Sequence, residues 1–295
     1  MRTNDKPAIV ITGASTGIGE ASVAALIEAG FFVFGSVRKE TDAARLQERF
    51  GADFTPLLFD VTAGGAIAAS VGLVEARLCG RRLSGLVNNA GVALPGPLLH
   101  QSIGEFLQQF EVNLFGQLKV IQTFAPLLGA TGKGEGAPGR IVNMSSVAGT
   151  LAAPYLGAYA ASKHALEGLS DALRRELMIF GVDVIVIEPG VIRTPIWDKA
   201  DRLDLSRYDN TAYGPGARRL QKWASERGQK GAPVELVAKA VVRALTARRP
   251  PARIRVLPNY LLDWTLPRLL PTRFLDRLIA KRLGLLPEKG GGAAP

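Results

Sequence analysis

Short apolar runs alternate with longer amphipathic stretches along the first two thirds of the chain. The runs are rich in β-branched residues, have the length of strands, and cover 8–12, 31–37, 54–59, 85–87, 140–144 and 182–187, with a last one at 252–257. The stretches between them have helical periodicity and cover 17–29, 41–50, 66–78, 104–128 and 157–180, with a further one at 233–247. Because strands buried on both faces are apolar throughout, this alternation predicts an α/β fold. We expect a doubly wound parallel sheet of about seven strands with helices on both faces.

The final third departs from that pattern. Residues 197–231 read as polar and irregular, and the residues after the last strand are rich in leucine and arginine. Among the latter, 272–284 predict an amphipathic helix with basic residues on one side and an apolar stripe on the other. The stripe consists of Leu275, Leu278, Ile279 and Leu283. We therefore expect a single α/β domain over 1–257, a helical C-terminal extension over 258–286 and a flexible tail over 287–295.

The formal charge of the 295-residue chain is +10, and it is spread unevenly. Residues 1–196 carry −1, 197–247 carry +4 and 248–295 carry +7. A basic C-terminal end suits an anionic partner, either nucleic acid or a membrane surface. Because the aromatic residues are not interleaved with the basic ones, we expect no nucleic-acid binding. Two interpretations of the extension stay open: it caps a substrate pocket, or residues 260–286 make peripheral contact with a membrane.

Composition narrows the class of protein further. Hydrophobic residues make up 47% of the chain, too many for a disordered protein. One cysteine, Cys79, excludes an internal disulfide, and with only two histidines, His100 and His164, we expect no metal site. Neither a secretory signal nor an apolar stretch of membrane-spanning length is visible, so the expected location is the cytoplasm.

A glycine-rich segment lies between the first strand and the first helix. It reads Thr12-Gly13-Ala14-Ser15-Thr16-Gly17-Ile18-Gly19. Glycines permit a tight turn and let the backbone approach a pyrophosphate, which the free N–H groups at the helix start then stabilise. The spacing G-x-x-x-G-x-G departs from the usual dinucleotide motif, so the segment alone is also compatible with a turn that binds nothing. In its place between strand and helix, it predicts a dinucleotide site in a Rossmann-type sheet.

The end of the second strand indicates which dinucleotide binds. An acidic residue there meets the 2′-hydroxyl of NAD, whereas an arginine accommodates the 2′-phosphate of NADP. This chain reads Ser36-Val37-Arg38-Lys39 and has no acid in the first three positions. Because the guanidinium of Arg38 can fork onto a phosphate, the sequence favours NADP (NADPH) as the cofactor.

Tyr159 and Lys163 lie four residues apart on the helix predicted over 157–180, and therefore on one face. A phenol is a poor acid or base near neutral pH because its unperturbed pKa is about 10. A nearby ammonium lowers the pKa of a phenol, which makes Tyr159 a candidate general acid–base. Ser146 precedes Tyr159 by 13 residues at the carboxyl end of the fifth strand, the edge where ligands bind in such sheets. The neighbouring Ser145 is the alternative serine, and the spacing favours Ser146.

Taken in order, these motifs resemble those of the short-chain dehydrogenase/reductase family over residues 8–257. The pattern is nearest to the retinol and 17β-hydroxysteroid dehydrogenase type. The motifs are the glycine segment at 12–19, Asp60-Val61, Asn88-Asn89-Ala90-Gly91, Asn113, Ser146, Tyr159-x-x-x-Lys163, and Pro189-Gly190 with Thr194. The resemblance implies a homodimer that pairs through the helices over 104–128 and 157–180, and a mobile substrate lid over about 191–231.

The resemblance also implies roles for single residues. Tyr159 would exchange a proton with the substrate oxygen, and Ser146 would hydrogen-bond that oxygen. Lys163 would lower the pKa of Tyr159 and bind the nicotinamide ribose, and Asn113 would hold a water that links Lys163 to solvent. Besides Arg38, Tyr159 and Lys163, the residues implied to bind the cofactor are Gly13, Ser15, Gly17, Ile18, Gly19, Asp60, Val61, Asn89, Ala90, Gly91, Pro189, Gly190, Ile192 and Thr194.

Together these observations predict an NADP(H)-dependent oxidoreductase that interconverts a ketone or aldehyde and an alcohol. Apolar residues in the predicted lid, among them Trp197 and Tyr213, favour a bulky apolar substrate such as a steroid, a retinoid or an aryl ketone. One alternative is a 3-oxoacyl-carrier-protein reductase, whose acidic partner would suit a basic surface. The other is a catalytically inactive dinucleotide sensor or scaffold, against which the complete set of Ser146, Tyr159 and Lys163 argues.

Overall fold

The computed structural model describes residues 6–197 and 203–287, so the predicted tail beyond Pro287 lies outside the described residues. Within these ranges seven strands form one sheet in which every neighbouring pair is parallel. They are β1 (Ala8–Ile11), β2 (Phe32–Val37), β3 (Phe54–Leu58), β4 (Gly85–Asn88), β5 (Arg140–Met144), β6 (Asp183–Pro189) and β7 (Arg253–Val256). The strand order β3-β2-β1-β4-β5-β6-β7 confirms the predicted doubly wound sheet.

Helices connect the strands and cover both faces of the sheet. The α-helices are α1 (Gly17–Glu28), α2 (Glu40–Phe50), α3 (Gly64–Leu78), α4 (Ile103–Phe110), α5 (Gly116–Phe124), α6 (Gly157–Glu176), α7 (Gly214–Gln229), α8 (Val234–Thr246), α9 (Leu266–Leu269) and α10 (Thr272–Leu283). Turns of π-helix lie at Glu111–Phe115, Pro126–Ala130 and Leu261–Thr265, and 3₁₀ turns at Gly51–Asp53, Val147–Gly149, Leu177–Phe180 and Ser206–Tyr208. Most predicted boundaries lie within two residues of these. The helix predicted over 104–128 is divided by a π turn into α4 and α5, and a second π turn follows α5. The helix predicted over 157–180 ends at Glu176, and a 3₁₀ turn follows it.

The two faces of the sheet bury separate apolar clusters, because side chains alternate along each strand. In β1, Ile9 and Ile11 join the cluster covered by α1 and α8, whereas Ala8 and Val10 join the cluster covered by α3 and α5. All four residues are buried, which explains why the strand reads as an uninterrupted apolar run. The sheet is therefore the centre of the domain.

The strand order places a crevice beside the carboxyl end of β1. This strand pairs with β2 on one side and with β4 on the other. The helix after β1 covers one face of the sheet and the helix α5 after β4 covers the other, so the chain diverges at this point. Open α/β sheets bind ligands in the crevice outside such a switch point. The loops after β1, β4, β5 and β6 all emerge at this edge.

Residues 214–229, which the polar pattern assigns to an irregular segment, form the 16-residue helix α7 instead. Its first turn contains Pro215, which a helix tolerates there because the N–H groups of the first turn have no intrahelical acceptor. The side that packs inward contains small residues, Gly216 and Ala217, so the sequence carries no strong apolar stripe. The prediction of an irregular segment over 197–231 is therefore wrong for this part.

The C-terminal extension returns to the domain and packs on α7. Ile279 and Leu283 of α10 join the buried Tyr155 in a third, small apolar cluster. Leu278 is instead exposed, as is Phe274. The apolar residues of α10 thus divide between a packed side and a solvent-facing side, whereas the sequence predicted a single stripe that included Leu278.

Candidate active site

Three glycines of the predicted dinucleotide segment are required for different physical reasons. Gly13 and Gly17 have φ angles of +67° and +57°, a backbone conformation that other residues rarely adopt. A Cβ atom at Gly19 would lie 2.0 Å from the carbonyl oxygen of Gly13, so only a hydrogen fits there. Helix α1 begins at Gly17, so the N–H groups of its first turn, which have no intrahelical acceptor, lie beside this loop. Ser15 precedes this turn and Ile18 belongs to it.

Side chains from the ends of the neighbouring strands brace this loop. The Thr12 hydroxyl accepts hydrogen bonds from the backbone N–H groups of Asn89 and Ala90, both at 3.0 Å. The Asn89 amide donates to the carbonyl oxygens of Thr12 and Gly13, at 3.0 and 3.1 Å. The Ser36 hydroxyl accepts from the Gly13 N–H at 3.1 Å. The sequence pattern assigns no role to Thr12 or Ser36, although a hydroxyl residue at the end of an apolar strand is an available signal.

The loop after β6 forms the opposite wall of the same crevice. A Cβ atom at Gly17 would lie 3.4 Å from the Cβ atom of Thr194, so this loop approaches the start of α1. Pro189 ends β6, the Gly190 N–H donates to a carbonyl oxygen of β7 at 2.9 Å, and Ile192 is buried. The structure therefore brings the residues predicted on the two sides of the cofactor to one edge of the sheet.

Arg38 and Asp60 lie next to each other beyond the carboxyl ends of β2 and β3. The Arg38 side chain is 69% exposed, and its Nη1 atom is 3.6 Å from Asp60 Oδ2. Thr62 donates to Asp60 Oδ1 from its N–H at 2.9 Å and from its hydroxyl at 2.8 Å. Burial raises the pKa of Asp60, but the Thr62 hydrogen bonds and the Arg38 charge outweigh this effect and lower the pKa below its usual value. Asp60 is thus held ionised beside the buried Val61, and the guanidinium of Arg38 is open to an incoming anion.

The predicted catalytic side chains meet near the carboxyl end of β5. Ser146 follows this strand; its hydroxyl accepts from the Ala148 N–H at 3.1 Å and lies near enough to the Tyr159 phenol to lower its pKa. Tyr159 stands in the first turn of α6, with Lys163 one turn later. The Ser145 hydroxyl is buried elsewhere, where a Cβ atom at Gly149 would lie 2.7 Å from it. Of the two candidate serines, it is therefore Ser146 that meets the phenol.

Burial dominates the titration of the two ionisable groups. It raises the pKa of Tyr159, and the Ser146 hydrogen bond opposes that rise only in part. Burial also lowers the pKa of Lys163 to about 8, against the opposing charge of Glu167. The Lys163 Nζ atom donates to the Met144 carbonyl oxygen at 2.8 Å and lies 5.8 Å from the centre of the Tyr159 ring. The expected lowering of the Tyr159 pKa is therefore not met here, because the ammonium is directed at a backbone carbonyl and loss of hydration of the phenol prevails.

Asn113 lies in the π turn between α4 and α5. Its side chain accepts from the N–H of Val92 and donates to the carbonyl oxygen of Val92, each at 2.9 Å, and it donates to the Ser162 hydroxyl at 3.1 Å. A Cβ atom at Gly91 would lie 3.3 Å from Asn113 Oδ1 and 3.8 Å from Lys163 Nζ, so both side chains border the same glycine. The sequence predicts Asn113 but not the π turn, since periodicity does not distinguish a π turn inside an otherwise α-helical stretch.

An apolar cleft of about 450 Å³ lies beside the start of α6. Three parts of the chain line it: the loop after β4, the segment that precedes α6, and the C-terminal extension. The lining residues include Leu98, Ala153, Tyr155, Tyr213, Ile279 and Leu285. The extension therefore forms one wall of a cleft that adjoins the helix of Tyr159.

Known proteins resemble the chain over most of its length. The family described as short chain dehydrogenase matches residues 7–204. An NADPH-dependent 3-dehydrocapnine reductase from Ornithobacterium rhinotracheale is 42% identical over 280 residues, which is 95% of this chain and 98% of the relative. The uncharacterized oxidoreductase YbbO of Escherichia coli is 36% identical over 92% of this chain and 93% of its own. A solved short chain dehydrogenase/reductase from Burkholderia phymatum, in complex with NAD, has a TM-score of 0.75 at 26% identity, covering 91% of this chain and 95% of that one.

The fold, the order of the motifs and these similarities define the class of protein. The chain belongs to the short-chain dehydrogenase/reductase family, as its motifs predict. It is an oxidoreductase that acts on the CH–OH or carbonyl group of its substrate.

Proposed function

We propose that the chain is an NADPH-dependent reductase that converts a bulky apolar ketone or aldehyde into an alcohol. One observation carries this proposal: Ser146, Tyr159 and Lys163 meet at the sheet edge that also bears the glycine loop. Burial raises the pKa of Tyr159 above its usual value, so the phenol carries a proton that it can donate to a substrate oxygen. The relative that is 42% identical is itself named as an NADPH-dependent reductase, which supports both the cofactor and the direction.

The residues at the nucleotide rim fit NADP(H). The glycine loop leads into α1, whose first N–H groups have no intrahelical acceptor and can bind a pyrophosphate, and α1 adds the positive end of its dipole. Arg38 stands where an NAD-binding chain would carry an acid, and its exposed guanidinium suits the 2′-phosphate. When bound, the reduced cofactor supplies the hydride that adds to the carbonyl carbon. Asp60, which Thr62 holds in place, is assigned to the adenine end.

The side chains of the catalytic group act on the substrate oxygen. Ser146 donates a hydrogen bond that orients the carbonyl, and Tyr159 transfers its phenolic proton to the oxygen as the alcohol forms. The ammonium of Lys163 stabilises the phenolate that is left behind. Asn113 borders Lys163 across Gly91, and we assign it to the route by which a proton returns to the phenolate.

The cleft beside α6 favours a bulky and apolar substrate. Its lining is mostly apolar, with Asp276 as its one charged residue, and its volume of about 450 Å³ suits a molecule larger than a sugar or a short keto acid. The cleft adjoins the start of α6 without being lined by Ser146 or Tyr159. Tyr213, in the predicted lid, lies on one wall and the extension supplies another. Residues 198–202 of the predicted lid lie outside the described residues. We assign to the described parts of the lid, 191–197 and 203–231, and to the extension over 258–286 the selection of which substrates enter.

A screen of NADPH consumption tests this function. The panel comprises aliphatic ketones of increasing length, steroids, aryl ketones, retinoid aldehydes and an acetoacetyl thioester. Turnover is expected to rise with apolar size, and Tyr159→Phe is expected to lower kcat about 10³-fold while NADPH binding persists, because only the donated proton is lost. Tyr260→Phe changes an exposed tyrosine and serves as the control.

Three other outcomes of the screen would overturn the proposal in different ways. Turnover confined to the thioester supports an acyl-carrier-protein substrate instead. Turnover confined to small polar carbonyls contradicts the apolar cleft. Binding of NADPH without turnover of any carbonyl supports a sensor or scaffold.

The extension also offers a surface for peripheral contact with an anionic bilayer. Leu262, Leu266 and Leu269 follow one another at helical spacing and are all exposed, and Phe274 and Leu278 are exposed on α10. The last 48 residues carry a net charge of +7, which complements an anionic lipid surface. No helix among the described residues is long and apolar enough to span a bilayer. We therefore propose contact with the surface of the bilayer by this face.

Vesicle sedimentation tests the contact. The protein is expected to bind vesicles with a third of anionic phospholipid and to be released by high salt, while vesicles of zwitterionic lipid alone bind it weakly. The double variant Phe274→Ala with Leu278→Ala is expected to weaken binding about tenfold through lost apolar burial. Leu73→Ala, which removes an exposed leucine from α3, should leave it unchanged. If the Phe274→Ala, Leu278→Ala protein bound anionic vesicles as well as the Leu73→Ala protein does, the assignment of the membrane contact to this face would be contradicted.

A homodimer through α4, α5 and α6 is the assembly that we propose. Leu107 on α4 and Phe115 on the π turn are exposed, as are Met178 and Ile179 just after α6. Light scattering is expected to give twice the mass of the chain, and Leu107→Asp with Phe115→Asp should give the monomer, because charged side chains oppose an apolar interface. A wild-type protein of monomer mass would refute this.

A further inference from the structure

Glu167 is a buried carboxylate that the reaction proposed above does not use. It lies one helical turn after Lys163 on α6, so the two side chains share a face, and it is 7% exposed. Its Oε2 atom accepts a hydrogen bond from Arg253 Nε at 3.0 Å, while no donor among the described residues reaches Oε1. A buried carboxylate with an unpaired oxygen is costly unless positive charge lies nearby.

The turn after β5 seals this carboxylate from solvent. A Cβ atom at Gly149 would lie 3.1 Å from Glu167 Cγ and 3.2 Å from the carbonyl oxygen of Lys163. Gly149 is itself buried, so a larger residue would have to displace the turn. Protein, not water, therefore surrounds much of the Glu167 side chain. Charges interact more strongly there, because the effective dielectric constant of protein is lower than that of water.

Arg253 does not neutralise Glu167 alone, because other carboxylates share its guanidinium. Asp171 Oδ1 lies 3.0 Å from Nη2 of Arg253, and Glu188 Oε1 lies 3.4 Å from Nε. The competition is visible at Glu188, whose pKa is raised by burial and by the charge of Glu167, against the lowering effect of Arg255. Arg253 is therefore shared among three carboxylates, of which Glu167 lies one helical turn from Lys163.

We propose that Glu167 is a positioning residue, whose carboxylate supports the charge of the Lys163 side chain beside Tyr159. The proposal rests on the reductase function above, in which the Lys163 ammonium stabilises the phenolate. The other charged or titratable groups around the pair are Tyr159 and Asp171 of α6 with Arg174 beside Asp171, Glu188 of β6, and Arg253 and Arg255 of β7. Burial lowers the pKa of Lys163 to about 8, and the charge of Glu167 acts in the opposite direction.

The pH profile of ketone reduction tests this role. As the pH rises, Lys163 loses its proton near its pKa of about 8, before Tyr159, whose pKa is raised above its usual value. In Glu167→Gln we expect the basic midpoint of kcat/KM to move down by about one pH unit, because the opposite charge is gone. Asp171→Asn is the matched control: it removes a carboxylate from the same Arg253 one turn further along α6 and should leave the midpoint in place. An unmoved midpoint in Glu167→Gln, or an equal shift in both variants, overturns the proposal.

A second variant and a second measurement keep the test independent of folding and of turnover. Arg253 retains Asp171 and Glu188 in Glu167→Gln, so we expect that protein to fold, and Glu167→Leu, which fills the site without an amide, should give the same shift. Urea unfolding between about pH 6 and pH 10 then measures the effect of Lys163→Met with and without Glu167→Gln. We expect Lys163→Met to raise the free energy of unfolding at neutral pH, because it removes a buried charge. This gain should begin to decline at a pH about one unit lower when Glu167 is replaced.

The two readouts separate the two proposals. If no ketone is reduced but the unfolding shift appears, the reductase function fails and the role of Glu167 stands. If ketones are reduced and neither midpoint moves, the role of Glu167 fails and the reductase function stands.

Discussion

The nucleotide end of the site and the end to which we assign the substrate, called the substrate end below, are held together by different interactions. At the nucleotide end, Thr12, Ser36 and Asn89 fix backbone atoms of the glycine loop through hydrogen bonds of 3.0 to 3.1 Å. At the substrate end, Tyr155 packs with α7 and α10 in a small apolar cluster, and its hydroxyl donates to the Tyr213 carbonyl oxygen at 3.2 Å. Hydrogen bonds fix positions, whereas apolar contacts are not directional. The first end therefore suits one unvarying ligand, and the second can adapt to another substrate by repacking a few side chains.

The sharpest test of this difference is Gly19→Ala at the nucleotide end. A methyl group there would lie 2.0 Å from a backbone oxygen that cannot move without opening the loop. We expect the Kd for NADPH to rise about 100-fold, measured by fluorescence titration, which corresponds to about 3 kcal/mol. Gly72→Ala, on α3 where an added Cβ atom meets nothing within 4 Å, is the control. A change below about threefold would mean that the loop is not held rigidly.

Arg38→Asp tests which cofactor the same end selects. An acid at this position repels the 2′-phosphate of NADP and can accept from the 2′-hydroxyl of NAD. The ratio of kcat/KM for NADPH to that for NADH is expected to fall about 30-fold, or about 2 kcal/mol. Lys39→Asp changes the adjacent cation and should alter the ratio far less. Selectivity that survives Arg38→Asp would remove the assignment of Arg38 to the phosphate.

Gly216→Ala is the matching change at the substrate end. A Cβ atom there would lie 2.0 Å from the Tyr155 hydroxyl oxygen and 3.0 Å from the carbonyl oxygen of Leu283, so α7 and α10 must move apart. We expect KM for bulky ketones to rise about tenfold, because apolar contacts can repack, while the Kd for NADPH stays unchanged. Gly168→Ala, on the open side of α6, is the control. If the Kd for NADPH changed as much as KM, the two ends would not be separate units.

Lys163→Met probes the residue that lies between the two ends. Lys163 is 4% exposed and burial lowers its pKa to about 8, so the folded state holds its proton less tightly than the unfolded state does. Below pH 8 this burial of charge costs stability in full, and the cost fades as the pH rises from about 8 toward the unfolded pKa of about 10.4. We expect the variant to raise the free energy of unfolding at pH 7 by about 1–3 kcal/mol, because a buried charge is removed. The lost hydrogen bond to Met144 offsets part of this gain. A variant less stable than the wild type at pH 7 would contradict this.

Much of the sheet and of the site is predictable from local patterns. The strand β1 reads as four apolar residues because both of its faces are buried. Tyr159 and Lys163 are predictable as a pair because their four-residue spacing places them on one face of any helix. What the patterns miss depends on contacts across the chain. Helix α7 is one example, since its inward side is made of Gly216 and Ala217 and only the approach of Tyr155 and Leu283 makes it a packed face.

The titration of the site belongs to the same class of missed features. The tyrosine–lysine spacing alone suggests a phenol with a lowered pKa. In the structure the pKa of Tyr159 is raised, because burial removes water that would stabilise the phenolate. The place of Glu167 is equally hidden, since its partner Arg253 lies 86 residues further along the chain.

By itself the amino-acid sequence determined what is local: the order of strands and helices, the glycine turn that only residues without a Cβ can form, and the placing of Tyr159 and Lys163 on one face of a helix. The tertiary structure alone decided which distant residues share a space and how much water reaches them. Propensity and spacing act within a few residues, so the chain carries them openly. Desolvation, charge coupling and the packing of small residues arise only when separate segments meet, and they set the pKa of Lys163, the partners of Glu167 and the wall that α10 contributes to the cleft.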